Sequence, residues 1–208
     1  MIIKEINKYD KNEEVMLLRE SFFSKWTKIL GTNDNQKIDM YLESYDQITE
    51  KRFSVIDGDS GIVGVFGVNA SNFPEKNFNS GNKDGYFPFL EKLRWKLGMR
   101  LLYTKPQKDE LYVSFFAINK RFRGKGYGRK VLDEVMKIAK FENKSTVKLY
   151  VSQTNETAIH LYQRYGFKIH NTERYLLTKW FLGEENWLVM KKKVEEIGEK
   201  EQLKAPQL

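Results

Sequence analysis

Residues 111–118 read LYVSFFAI, and residues 119–130 continue NKRFRGKGYGRK. The first segment is almost wholly apolar, as expected of a strand covered on both faces. The second holds six basic residues and no acidic one, with Gly124, Gly126 and Gly128 at alternate positions. Val131, Leu132, Val135, Ile138 and Ala139 follow at helical spacing. Strand, glycine loop and helix in that order form a cradle for a phosphate or pyrophosphate. Glycines let an anion approach the backbone. The helix start then turns unpaired N–H groups and its positive dipole end toward the same place. Glycines serving turn geometry alone are the plainer alternative, and the concentrated positive charge argues against it.

Three known loops bound the reading. The Walker A pattern ends in Lys-Ser/Thr, and neither Ser nor Thr follows here. The dinucleotide fingerprint places its third Gly one position later than Gly128 and opens a parallel unit, whereas this loop lies mid-chain. Lys125-Gly126-Tyr127-Gly128 fits the start of an RNA-recognition strand, but Arg129-Lys130-Val131-Leu132 departs from that signature and enters a helix.

Working outward, residues 1–6 read as a short strand, 13–30 as a helix stopped by Gly31, and 38–48 as a second helix. Residues 53–56 and 62–68 read as a hairpin turning at 57–61. Residues 69–108 break the rhythm as an insertion: an Asn/Ser/Gly-rich loop, then a helix opened by Pro88 with Phe89, Leu90, Leu93, Leu97 and Leu101 on adjoining faces. Residues 147–151 read as a strand and 158–165 as a helix stopped by Gly166. Residues 167–169, 175–182 and 187–192 read as closing strands, and 194–208 as a polar tail. The expected fold is α/β (α+β): a single domain over 1–193 with a mixed central sheet of about six or seven strands flanked by helices.

The composition excludes several chemistries. The chain has 208 residues, 40% of them hydrophobic, enough for a core without staples. It has no Cys, which removes a disulfide framework, a thiolate nucleophile and Cys-based metal sites. Only His160 and His170 are available as imidazole ligands, so no metal is expected. His160, two residues from Tyr162, faces another side of its helix and reads as structural; nothing places His170. No apolar run has transmembrane length, and residues 1–14 lack the marks of a secretory signal, so a cytoplasmic protein is expected with neither membrane nor nucleic-acid partner. The net charge is +8; residues 1–104 hold 15 basic and 15 acidic residues, so the whole excess lies in 105–208. That asymmetry suits an anionic ligand or merely a well-solvated surface.

Arg123-x-x-Gly126-x-Gly128 after an apolar strand resembles the acetyl-CoA signature of the GNAT superfamily of N-acetyltransferases. Residues 155–167, NETAIHLYQRYGF, resemble the second signature of the same family, in the right order and at a spacing that suits one helix and one strand. The resemblance covers roughly residues 109–170. It implies acetyl-CoA as cosubstrate, with the pantetheine arm along the backbone of Phe116, Ala117 and Ile118 and the pyrophosphate on the loop formed by Arg123, Gly124, Lys125, Gly126, Tyr127, Gly128 and Arg129. It also implies that Asn155 binds the pantetheine arm and that Tyr162 is the general acid for the departing thiolate. Asn155 can equally cap its helix, and Tyr162 can equally be a core aromatic. A phenol of pKa about 10 suits the acid role, since it stays protonated at neutral pH.

The resemblance implies direct acetyl transfer to a primary amine of a small molecule or protein, with no covalent enzyme intermediate. Many relatives carry Glu in the middle of the buried strand; Ser114 stands there, leaving Glu110 or a water relay as base. The aromatic insertion, with Tyr86, Phe87, Phe89, Trp95 and Tyr103, is expected to roof the acceptor cleft, to form a homodimer contact or simply to cover the sheet. Trp180, Phe181 and Trp187 are candidates for the same cleft or for the core. A CoA-binding sensor without chemistry is the first alternative, and an RNA-binding module the second.

Overall fold

A computed structural model describes residues 1–6, 11–43, 49–70 and 88–195. Expectations for Tyr86, Phe87, residues 44–48 and the tail beyond 195 lie outside these.

Seven strands form one mixed sheet flanked by six helices among the described residues. They are β1 (Ile2–Glu5), α1 (Lys11–Leu30), α2 (Asn35–Leu42), β2 (Lys51–Ile56), β3 (Ile62–Asn69), α3 (Phe89–Leu102), β4 (Glu110–Ile118), α4 (Tyr127–Phe141), β5 (Thr146–Ser152), α5 (Glu156–Tyr165), β6 (Lys168–Arg174), α6 (Leu176–Leu182) and β7 (Asn186–Lys193). The strand order is β1-β2-β3-β4-β5-β7-β6. Every neighbouring pair is antiparallel except β4 and β5. The mixed α/β fold expected from the sequence is the fold observed.

Two apolar cores lie on opposite faces of the sheet. One gathers α1, α2, α3 and α6 around Trp26, Ile29, Tyr41 and Trp95. The other gathers α4 and α5 around Val131, Leu132, Val135 and Tyr162. Within β4 the alternation changes phase. Leu111 and Val113 face the α4/α5 core, but Phe115 and Ala117 face the α1 core. The register explains the change: Val68 opposes Val113 and Gly67 opposes Phe115, so Ser114 is an extra residue on β4. Such a bulge bends its strand and increases the local twist.

β4 and β5 part company at the same place. Their parallel pairing runs only from Glu110↔Thr146 to Val113↔Leu149. Beyond it the two strands have no ladder between them. The sheet therefore has a gap near its centre, between residues 114–118 and 150–152.

Three elements correct the sequence reading. Residues 175–182 are not a closing strand: Leu176–Leu182 is helical. β7 already pairs β5 on one side and β6 on the other, so β7 has no edge left for them. Thr178, Phe181 and Leu182, at helical spacing, are the residues buried instead. β6 is longer than the apolar 167–169, extending to Arg174, and is exposed along nearly its whole length, so no apolar pattern marks it. In α3 the buried residues are Trp95, Gly98 and Met99. Phe89, Leu90, Leu93 and Leu97 face outward instead. Gly98 sets that rotation, because a Cβ there would lie 2.6 Å from Ile29 Cγ2 where α3 crosses α1.

Candidate active site

A cleft of about 960 Å³ occupies the gap between β4 and β5 and draws its walls from both cores. Ser114, Phe116, Tyr150, Ser152, Asn155 and Tyr162 line its middle. Lys120 and Arg123 stand at one end, and Lys25, Tyr103 and Trp187 line the α1 side.

The glycine loop opens α4 as the sequence suggests. Gly124 and Gly126 have φ of +77° and +83°, and a Cβ at either would meet nothing within 4 Å. Gly126 occupies the cap position without a side-chain cap, leaving the N–H groups of Tyr127, Gly128 and Arg129 without intrahelical partners. The first N–H paired along the helix is that of Lys130, which donates to Gly126 O at 3.3 Å. Gly128 has a further reason to lack a side chain: a Cβ would lie 2.9 Å from Leu161 Cδ2, where α4 meets α5. The run 125–128 enters a helix and forms no strand of the kind an RNA-recognition sheet uses.

The basic side chains differ in their freedom. Lys125 is exposed, its Nζ 5.0 Å from the Phe122 ring centroid. Arg129 is also exposed. Arg123 instead donates from Nε to Ile118 O at 3.0 Å, closing the end of β4. Tyr127 is buried, its ring edge-on to Phe122 at 6.2 Å and its hydroxyl donating to Asp57. Only the backbone of Tyr127 is left for an anion.

The open edge of β4 presents alternate peptides. Asn119 N–H donates to Val63 O on β3 at 2.9 Å. The antiparallel ladder then turns the peptide groups of Ala117 toward β3 as well, and those of Phe116 and Ile118 toward the gap. A chain laid along this edge would meet Phe116 and Ile118 but not the Ala117 backbone.

Asn155 is the N-cap of α5, its Oδ1 accepting from Ala158 N–H at 3.3 Å. It also lines the cleft, so its amide nitrogen remains available to donate. Tyr162 is 8% exposed, its ring 6.4 Å from Phe116 and 5.8 Å from Phe167. Burial pushes its phenol well above the ordinary value, and no described residue hydrogen-bonds its hydroxyl. It is thus both a core aromatic and a cleft residue.

Glu110, the carboxylate on β4 offered as base, is already paired. Glu110 is 2% exposed, bound to Lys191 Nζ at 2.7 Å and accepting from Gln107 N–H at 3.1 Å. Burial alone would raise its carboxyl; those partners outweigh it and hold the group below its usual range. It lies at the paired end of β4, away from the cleft lining. Ser114 does line the cleft, its hydroxyl 3.1 Å from Thr49 Oγ1. His160 and His170 are exposed, and among the described residues no cluster of three metal-ligating side chains occurs.

Of the remaining aromatics, Tyr103 lines the cleft, Trp95 is core beside Tyr41 at 5.0 Å, and Trp180 is 76% exposed. The α1 wall adds Lys25, which the sequence reading passed over because a single lysine in an amphipathic helix looks like surface. Its ammonium lies 5.3 Å from the Phe22 ring centroid and 5.0 Å from that of Trp187.

Comparison with known proteins accords with this geometry. Residues 96–167 match the model of the Acetyltransferase (GNAT) family. The uncharacterized N-acetyltransferase YdgE of Bacillus subtilis (strain 168) is 31% identical over 78 residues, 36% of this chain and 50% of that protein. The matched segment thus spans half the length of that curated relative. A chimera of the spermidine N-acetyltransferase SpeG of Vibrio cholerae and hSSAT superposes with a TM-score of 0.58 at 14% identity, covering 93% of this chain and 96% of that one. The ribosomal-protein-S18-alanine N-acetyltransferase of Escherichia coli superposes with a TM-score of 0.56 at 14% identity, covering 95% and 96%. Over residues 96–167 the chain is thus similar to the GNAT acetyltransferases, and its fold is that of N-acetyltransferase structures.

Proposed function

We propose that the chain is an acetyl-CoA-dependent N-acetyltransferase acting on a primary amine. The observation that carries this reading is the cleft at the gap in the sheet: Phe116 of the open β4 edge, Asn155 and Tyr162 line it, and Arg123, which leads into the glycine loop, stands at one end.

These residues fit a long, polyanionic cosubstrate. The N–H groups from Gly124 to Arg129 would hold the pyrophosphate, with Lys125 and Arg129 adding positive charge. Phe116 and Ile118 would offer their peptide groups, and the Asn155 amide a further donor, to the pantetheine arm. When bound, the thioester supplies an activated acetyl group. Holding it beside the amine supplies much of the rate. The amine nitrogen bonds the acetyl carbon as the carbon–sulfur bond breaks. Tyr162 donates its proton to the departing sulfur, and water carries the proton lost by the amine. No carboxylate on β4 serves as base, because Glu110 is committed to Lys191.

Thiol release from acetyl-CoA with a panel of primary amines tests the activity, and Tyr162→Phe tests the acid. The variant is expected to lose about 10²- to 10⁴-fold in kcat. Its acetyl-CoA Kd, measured by calorimetry, should stay close to that of the parent. A variant with full turnover would remove Tyr162 from the chemistry. A parent that binds acetyl-CoA but turns over no amine would instead favour a CoA sensor.

A further inference from the structure

The α1 wall of the cleft carries a cation, Lys25, with no ion pair among the described residues. α1 departs from helical geometry at Phe22 (φ −126°, ψ 25°), and the Trp26 indole N–H donates to Leu18 O across that kink at 3.0 Å. Beyond the kink, Lys25 lies on the cleft wall near the faces of Phe22 and Trp187. The Trp187 ring is held in turn, its indole N–H donating to Thr178 Oγ1 at 3.0 Å.

Burial lowers the Lys25 ammonium's pKa below its ordinary value, and Glu184 offsets only part of that effect. Two aromatic faces near the ammonium favour the charged form too. Glu184 is close enough to act through space, but no described residue forms an ion pair or hydrogen bond with Lys25. The Glu184 carboxylate instead accepts from the Thr154 hydroxyl at 3.1 Å. A sheltered ammonium with aromatic support, Glu184 acting on it only through space and no ion pair among the described residues, is suited to receive an anion. Lys28 and Arg100 stand on the same wall, so with Lys25 the positive groups there outnumber Glu20 and Glu184.

That anion is distinct from the cosubstrate's pyrophosphate. Phe22 and Trp187 belong with the α1 core, whereas the glycine loop leads into α4 on the opposite face of the sheet. The gap joins the two sides, so a ligand on the α1 side meets the thioester from the far face.

We propose that the acceptor carries an anionic group, a carboxylate or a phosphate, beside its amine, and that Lys25 receives that group. This rests on the acetyltransferase reading and adds its substrate class.

The test compares paired amines: L-phenylalanine with phenethylamine, and tyramine phosphate with tyramine. The anionic member of at least one pair is expected to exceed its neutral parent about tenfold in kcat/KM. Lys25→Gln should bring that ratio toward one, and Lys25→Arg should restore part of it. Neutral amines preferred by the parent protein, or a preference that survives Lys25→Gln, would overturn the proposal. So would a matching loss of acetyl-CoA affinity in Lys25→Gln, which would place the lysine on the cosubstrate. If no amine is turned over, the acetyltransferase reading fails separately. Calorimetry with N-acetyl-L-phenylalanine against N-acetylphenethylamine then reads the anion preference directly. Absence of a Lys25-dependent difference there would sink it.

Discussion

The Tyr127 hydroxyl donates to the Asp57 carboxylate, tying the first turn of α4 to the turn between β2 and β3. The contact leaves the glycine loop anchored at its helical end while Gly124 and Gly126 stay open. Tyr127→Phe keeps the ring against Phe122 and deletes only the tether. Acetyl-CoA Kd is expected to rise by about threefold, as for loss of a modest hydrogen bond, with kcat little changed. Calorimetry beside steady-state kinetics checks it; an unchanged Kd would show that the loop holds its shape alone.

The buried phenol of Tyr162 has a consequence for pH. Its pKa is raised by burial, so the protonated, acid-competent form persists further into alkali than for a free tyrosine. kcat should therefore show no fall attributable to Tyr162 between pH 7 and about pH 10. A pH profile of the parent and Tyr162→Phe settles the point. An alkaline limb near pH 8 that vanishes in the variant would contradict the assignment.

Glu110 and Lys191 join β4 to β7 across β5. Glu110→Gln leaves a mostly buried ammonium without its charge partner, and the expected loss is about 3 kcal/mol in urea unfolding at pH 7. The folded carboxyl titrates below its unfolded value, so its stabilisation is complete above about pH 4.3 and is lost as pH falls through the lower folded value. The gap between parent and variant should accordingly narrow in acid. A gap that widened there would reverse the sign of the shift.

The loop glycines should not respond alike. Gly126→Ala forces a left-handed backbone on a residue with a Cβ, costing about 1 kcal/mol although the space is free. Gly128→Ala meets only the terminal methyl groups of Leu161, which can shift. The better helix propensity of Ala, about 1 kcal/mol, offsets the crowding. Thermal unfolding should rank Gly126→Ala below Gly128→Ala; the reverse order would mean that the α4–α5 contact is rigid.

Much of this was legible in the chain, and the failures share a cause. The strand–loop–helix at 111–130 and the Asn155 to Gly166 helix carry their own punctuation: glycines with positive φ, a capping Asn and a helical apolar stripe. The segment 175–182 carries none, and its aromatic residues and Thr178 suit a strand until β6 takes the free side of β7. α3 misled because it has two apolar faces, and only the contact of Gly98 with Ile29 chooses between them. The bulge was invisible because LYVSFFAI is apolar on both sides, so a phase change leaves no trace. Glu110 misled because sequence position does not reveal that Lys191 comes to meet it. Lys25 was missed for the corresponding reason, since Trp187 reaches it from the far end of the chain.

The extra residue in β4 shapes the gap rather than the cores. Replacing Ser114 by another small residue would alter one hydrogen bond to Thr49. Deleting it would restore plain alternation along the strand, with Val113 still toward α4 and α5, Phe115 and Ala117 still toward α1, and Phe116 and Ile118 still toward α4 and α5. What a deletion would remove is the local bend and twist that a bulge adds. Those lie where the β4–β5 ladder ends, after Val113. A one-codon deletion at position 114 would therefore spare the packing on both faces of the sheet and act on the opening between its central strands.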